Sequence, residues 1–315
     1  MTTELSLENL PNPVLRYFLA TRPAFLTVTL VGALLGLASA WSAGISLRPA
    51  EALVTLLFAL IAQASANVIN DYYDARNGTD AANTEHVFPF TGGSRFIQNG
   101  ILTQRAMAIF GFALLAAVVP AGIWLTAHSA PWLVAIGMAG VFTIWAYSGE
   151  PIKLVHRGLG EAAITICWLL VVVGSDYVQR GAFDFAPVAA GLGYALLVAN
   201  LLYINQFPDF RADAHVGKRT MVVRLGRSRA RWGYAALAGA TYVWLTACIA
   251  LGALPWLALA VFAAAPLSWK ATNELWRHAE TPAQLTPAIK LTIGAAHAHG
   301  LLLAVALVVA KALQS

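Results

Sequence analysis

Searched for stretches free of Asp, Glu, Lys and Arg, the chain breaks into long apolar runs joined by short charged segments. A membrane-crossing helix needs roughly 20 predominantly apolar residues. Residues 23–47 and 52–70 supply the first two such runs. Residues 106–149 are too long for one crossing and break in two at His128-Ser129-Ala130-Pro131. Residues 162–175 form a short fifth run, extendable past Asp176, and residues 185–208 form a sixth. Residues 232–269 divide at Gly252-Ala253-Leu254-Pro255, and residues 291–310 close the series. The pattern predicts an all-α polytopic membrane bundle of about nine transmembrane helices, with residues 1–315 forming a single integral-membrane domain.

Composition narrows the classes further. Of 315 residues 59% are hydrophobic and only 11% are charged, against about 25% charged in ordinary soluble domains. So few charges cannot cover the surface of a soluble chain this long. A soluble α/β enzyme, a disordered regulator and a nucleic-acid reader are therefore excluded, despite the net charge of +5. The expected surroundings are a lipid bilayer, with no nucleic-acid partner. Cys167 and Cys248 lie in apolar runs without CxxC spacing and read as small packing residues.

The basic residues orient the bundle. With the N-terminus inside, 17 of the 20 Lys and Arg fall on the inner side, and only Arg48, Arg180 and Lys311 fall outside. Positive residues favour the cytoplasmic side, so the expected topology is N-in/C-out. The first apolar run is too long, and lacks the early basic residues, for a cleaved signal peptide. The expected location is the bacterial cytoplasmic (inner) membrane. Outer connections are tight, whereas the inner segments 71–105 and 209–231 are long and polar. Long irregular segments in a compact protein are usually functional or disordered.

Two acidic motifs sit where the second and sixth runs reach the inner side. Asn70 and Asp74 are four apart, then Gly78 and Asp80 follow; Asn205, Asp209 and Asp213 step by four. Residues at i, i+4 and i+8 share a helical face. Asn67, Asn70, Asp71 and Asp74 share a face in the same way. The two motifs read as a degenerate repeat, NxxxDxxxGxD and NxxxDxxxD, on the cytoplasmic side and facing each other. Carboxylates this close repel and call for a cation. Carboxylate and amide oxygens suit Mg²⁺, which is typically held by one or two carboxylates plus substrate phosphates. Such a pair of clusters holds a diphosphate through bridging metal. Arg76, Arg95, Lys153, Lys218 and Arg219 are the nearby bases available for the remaining phosphate oxygens. Ionisable groups at membrane depth are functional candidates by default.

These pieces together resemble the UbiA superfamily of intramembrane prenyltransferases, over nearly the whole chain. They are Thr21-Arg22-Pro23 at the first span; Asn70-Asp71-Tyr72-Tyr73-Asp74 through Gly78-Thr79-Asp80; Gly92-Gly93-Ser94-Arg95; Tyr147-Ser148 through Pro151 with Arg157-Gly158-Leu159-Gly160-Glu161; and Asp209 to Asp213 with Gly217-Lys218-Arg219-Thr220. The GxD ending and the RGLGE element look most like 1,4-dihydroxy-2-naphthoate prenyltransferases of menaquinone synthesis. Three departures bear on the acceptor, one being that Tyr147 and Lys153 are six apart where the 4-hydroxybenzoate branch often has a Tyr-xxx-Lys element. The third Asp of the 4-hydroxybenzoate branch is Gly78 here, and Pro208 stands where naphthoate enzymes often have Arg.

The resemblance implies a nine-helix bundle that moves a prenyl group from an allylic diphosphate to an aromatic acceptor with Mg²⁺. Asp71, Asp74, Asp209 and Asp213 are the expected catalytic residues, with Asp74, Asp80, Asp209 and Asp213 holding metal. Asn70, Asn205, Arg76, Arg95, Lys153, Lys218 and Arg219 are expected at the diphosphate. The prenyl tail is expected between helices, open to lipid. Tyr72, Tyr73, Tyr147, Tyr203 and Phe207 are candidates to face an allylic cation. Alternative acceptors are 4-hydroxybenzoate and homogentisate. Alternatives of another class are a repeat-built transporter and a non-catalytic prenyl-lipid-binding protein. His297 and His299, two apart in the last span, point to different sides and read as packing residues.

Overall fold

A computed structural model describes residues 5–314. All regular structure among them is helical. The helices run α1 (Pro13–Ala20), α2 (Pro23–Ser42), α3 (Pro49–Asn77), α4 (Thr79–Ala82), α5 (Gln104–His128), α6 (Leu133–Ser148), α7 (Gly160–Arg180), α8 (Ala186–His215), α9 (Met221–Leu225), α10 (Arg227–Ala250), α11 (Ala265–His278) and α12 (Thr286–Ala312). Seven of them, α2, α3, α5, α7, α8, α10 and α12, are long and apolar enough to cross a bilayer. The chain is an integral membrane protein. The other two expected crossings are helical but differ in kind. The fourth is α6, with 16 residues, and the eighth begins as a 3-10 helix over Trp256–Ala264 that passes into α11.

Local chemistry explains most boundaries. Proline at the first helical position starts α1, α2 and α3, where a missing N–H removes no helical bond. Asn12 and Thr103 cap α1 and α5 through their side chains. Gly78 and Gly181 end α3 and α7 in the left-handed conformation.

Two helices run further than the apolar runs that announced them. The second ends at Asn77, seven residues past the expected 70, and the sixth ends at His215 rather than 208. The segments 71–105 and 209–231 are therefore only partly irregular. The charged residues do not stop these helices because their partners lie one turn away or across the bundle. Asn70 Nδ2 donates to Asp74 Oδ2 at 3.1 Å, for example. Pro208 removes one hydrogen bond within α8, and the tight packing of Ile204 and Phe207 holds the helix through it.

The core forms around α8, whose Tyr194, Leu197, Ile204 and Phe207 are fully buried. Helices α2, α7, α10 and α12 pack around it. A Cβ at Gly36 of α2 would stand 2.2 Å from the Val172 carbonyl oxygen of α7. Only glycine lets these two backbones come that close. Helices α3, α5 and α6 complete the other side and leave open space between themselves, α2, α7 and α8.

Candidate active site

The C-terminal ends of α3 and α8 meet at one end of the bundle. A helix C-terminus carries a partial negative charge, so carboxylates there are unfavourable without a cation. Yet Asp74 lies in the last turn of α3, and Asp209 and Asp213 lie in the last two turns of α8. With Asp80 from α4 they line a polar cavity of about 90 Å³. Arg22 and Lys218 are the two cations in its wall, which leaves a surplus of negative charge.

Lys218 joins the two motifs. Its Nζ lies 3.3 and 3.2 Å from Asp74 Oδ1 and Oδ2 and 3.4 Å from Asp213 Oδ1. Burial works against the ammonium, but Asp213 and Asp74 outweigh it and raise its pKa well above the ordinary lysine value. Asp209 accepts a 2.6 Å bond from Asn83 Nδ2. Burial first, and Asp74 second, push the Asp80 carboxyl up to about 7, against the opposing pull of Arg22, Lys218 and Arg95. The motifs thus converge, and the acids are held in a group that repels itself.

A much larger apolar cavity, about 350 Å³, adjoins the polar one. Six residues line both: Arg22, Asn70, Phe90, Tyr147, Leu202 and Asn205. Polar and apolar spaces therefore meet across a shared rim. Asn205 Oδ1 is buried at that rim without a hydrogen-bond partner. A buried, unsatisfied carbonyl oxygen needs an explanation, and an oxygen-seeking cation supplies one. Among the described residues no three His, Cys, Asp or Glu side chains converge as a ready-made metal cage. The Asp and Asn side chains in the lining of the polar cavity offer oxygen donors, with the rest of an ion's shell left to a ligand. This fits Mg²⁺.

Several expected site residues stand elsewhere. Asp71 is buried outside the cavity lining, paired with Arg22 and accepting from Ser94 N at 3.0 Å. It anchors Arg22 rather than facing the cavity. Arg76 and Lys153 reach the exposed Glu150, at 3.6 and 2.7 Å, and Arg219 is exposed. Arg95 donates to the Asp80 backbone carbonyl and does not line the cavity. These four bases do not line the polar cavity, because spacing along the chain reports nearness to a motif and not the direction a side chain takes. The Tyr72 and Tyr73 rings pack against each other at 5.0 Å with a tilt of 58°, while Tyr203 and Phe207 are core residues. Of the five aromatic candidates only Tyr147 lines the cavities. His297 bonds to Thr27 at 2.8 Å and His299 is buried apart from it.

Sequence reasoning missed Arg22 as a site residue, together with Asn83, Phe90 and Gln206. Arg22 had a signal in the Thr21-Arg22-Pro23 element. Asn83 and Phe90 come from the irregular loop and had none.

Gly93 is required where that loop crosses the cavity. Its φ is +76°, and a Cβ there would lie 2.7 Å from Asp80 Oδ2 and 3.2 Å from Asp71 Oδ1. Gly93→Ala is expected to lose roughly 1–3 kcal/mol of stability and to displace Asp80. A thermal unfolding series should show the loss, and unchanged stability would refute the contact.

The family model for UbiA prenyltransferases matches residues 29–294. The chain is 28% identical to a 1,4-dihydroxy-2-naphthoate octaprenyltransferase of Bacillus subtilis, over 92% of this chain and 91% of that one. It is 30% identical to the Mycobacterium tuberculosis protein of the same description, over 77% of this chain and 80% of that one. Its fold is similar to that of a UbiA homolog from Archaeoglobus fulgidus bound to GPP and Mg²⁺, with a TM-score of 0.60 at 16% identity, covering 93% and 99% of the two chains. A family model that matches most of the chain decides for a transferase over the transporter alternative: the chain belongs to the UbiA prenyltransferase family.

Proposed function

We propose that this enzyme transfers a prenyl group from an allylic polyprenyl diphosphate to 1,4-dihydroxy-2-naphthoate, with Mg²⁺, in menaquinone synthesis. The observation that carries the reading is the shared rim, where a carboxylate-lined cavity opens directly onto a long apolar one. A diphosphate with a hydrocarbon tail has that same division. The identities to two naphthoate octaprenyltransferases support the acceptor. The reading takes residues 1–315 as one unit with nine crossings, N-in/C-out in the bacterial cytoplasmic membrane. The site then faces the cytoplasm.

Asp74, Asp80, Asp209 and Asp213, with Asn70 and Asn205, would hold the metal. Mg²⁺, when bound, neutralises charge on the departing diphosphate. Lys218 and Arg22 line the same space and present N–H donors to phosphate oxygens. The allylic carbon then lies at the rim, where Tyr147 and Phe90 offer their rings to the developing cation. The apolar wall keeps water from capturing it. An electron-rich acceptor ring carbon attacks from the rim as the allylic carbon–oxygen bond to the diphosphate breaks, and the ring regains aromaticity by releasing a proton or carbon dioxide.

The test is a panel of three acceptors (1,4-dihydroxy-2-naphthoate, 4-hydroxybenzoate, homogentisate) against several prenyl diphosphates, with products identified by mass. Prenylated naphthoate is expected, with loss of product in EDTA. Product from 4-hydroxybenzoate alone would overturn the acceptor. Mg²⁺ with donor should also raise the unfolding temperature, since ligand at 100 times its Kd stabilises by about 2.7 kcal/mol.

A further inference from the structure

The wall of the larger cavity is mostly apolar, and most of its polar side chains are already engaged within the protein. Thr55, Thr143 and Ser175 line the cavity and donate to the carbonyls of Glu51, Ala139 and Val171, each four residues earlier on the same helix. Gln63 donates to Asn67 Oδ1 at 2.9 Å. These groups need nothing from a ligand.

Thr29 of α2 and Trp168 of α7 differ. Both line the cavity, and they are only 1% and 7% exposed. Yet Thr29 Oγ1 and Trp168 Nε1 are buried with no hydrogen-bond partner. A threonine inside a helix commonly bonds to the carbonyl four residues back, and Thr29 does not. A buried tryptophan N–H usually finds an acceptor. Trp244 and Trp276 do so at the carbonyls of Ala189 and Arg231, and Trp168 does not. Each unpaired buried group lowers the stability of the free protein.

The two groups are neighbours. A Cβ at Gly32, one turn beyond Thr29, would stand 3.6 Å from Trp168 Cδ1, the ring atom bonded to Nε1. Thr29 is six residues from the start of α2 and Trp168 eight from the start of α7, about 9 and 12 Å along the helices. Both helices start at the rim end: Arg22, just before α2, lines both cavities, and Val155, shortly before α7, lines the polar one. Helical side chains lean toward the N-terminus of their helix, so both lean back toward the rim.

A prenyl chain is hydrocarbon and offers neither group a partner. An indole N–H only donates, whereas a hydroxyl both donates and accepts. The pair therefore matches a carboxylate or phenolic oxygen carried on a flat ring. We infer that Thr29 and Trp168 form a subsite for an oxygen substituent of the aromatic acceptor, so that the cavity holds two occupants side by side, the acceptor along α2 and α7 and the prenyl chain along the remaining walls. The inference deepens the prenyltransferase reading above and rests on it.

The test uses Trp168→Phe, which keeps a ring and removes the N–H, and Thr29→Val, which keeps the shape and removes the hydroxyl. Steady-state constants are measured with whichever of the three acceptors above the wild type prenylates. Each variant should raise the KM for acceptor about tenfold, the scale of one hydrogen bond to a charged oxygen. The kcat and the KM for the prenyl diphosphate should stay close to wild type, the pattern of a lost binding contact. The rise in unfolding temperature given by donor with Mg²⁺ should also be kept. Without ligands Thr29→Val should unfold at the wild-type temperature or above, because it removes an unpaired group. Thr165→Val is the control: Thr165 shares α7 with Trp168 but lies outside the cavity lining and bonds to the Glu161 carbonyl, so both KM values should be unchanged. An unchanged acceptor KM in both variants, or equal rises for acceptor and donor, overturns the subsite. A Thr29→Val protein that unfolds below wild type without ligands also overturns it. A wild type that prenylates none of the three acceptors and is not stabilised by donor overturns instead the reading beneath it.

Discussion

Asp209→Ala and Asp74→Ala should each lower prenyl transfer by about 10²–10³, the scale on which removal of one preorganised charge-stabilising group is felt, and leave the protein folded. The two carboxylates come from different helices and face one cavity of about 90 Å³. Neither is a packing residue. Their surroundings already carry Asp80 and Asp213, so deleting one acid relieves repulsion in metal-free buffer. The stability of Asp209→Ala in EDTA should therefore equal or exceed that of wild type, whereas Asp74→Ala also removes a partner of the buried Lys218 ammonium and should lose stability. The gain from added Mg²⁺ and donor should shrink. Turnover and thermal unfolding with and without Mg²⁺ measure both sides. Full activity in both variants would sink the assignment of this cavity as the active site, as would a fold that collapses in each of them.

Lys218→Met should act in the opposite sense on stability. The ammonium is buried between Asp74 and Asp213 and is the link between the two motifs. Met has a similar length but no charge, so the two carboxylates remain buried without their partner. Breaking a buried ion pair by removing one member costs about 3–5 kcal/mol. The loss should be largest in EDTA and partly restored by Mg²⁺, which supplies positive charge to the same oxygens. Transfer activity should fall as well, because Lys218 faces the space for the diphosphate. The exposed neighbour is the control. Arg219→Ala should change stability by less than about 0.5 kcal/mol, as surface substitutions do. A Lys218→Met protein as stable as wild type without metal would show that the bridge does not hold the two helix ends.

Much of this was legible beforehand, for physical reasons that also mark the limits. Apolar runs locate helices because a bilayer forbids exposed backbone polar groups. The runs for α2, α7 and α12 accordingly lie inside the observed bounds or within a few residues of them. They fail at helix ends that carry function. Asp71, Asp74 and Arg76 look like the start of a loop, yet the helix continues through them because side-chain partners satisfy them. The repeated spacing of four identified Asp74, Asp209 and Asp213 as one face on each helix, and these converge. Spacing could not say that Asp71 turns to Arg22, or that Asn83 arrives from the loop to hold Asp209. Those contacts depend on where an irregular segment folds back, which no periodicity encodes. The bases showed the same limit. Lys218 and Arg22 enter the cavity and Arg76, Lys153 and Arg219 do not, and distance along the chain from a motif does not separate the two groups.

The bridge at Lys218 also bears on how the protein is made. Lys218 and Asp74 are 144 residues apart, and Asn83 and Asp209 are 126 apart. At about 5–20 residues per second, the ribosome needs roughly 7–29 s to deliver the lysine after the aspartate. During that interval Asp74 is without the ammonium that later neutralises it. Half of the site therefore waits in the nascent chain until α8 and its following turn arrive. Chains that stop before residue 218 carry unpaired acid at the end of α3, a chemical mark by which unfinished copies differ from complete ones.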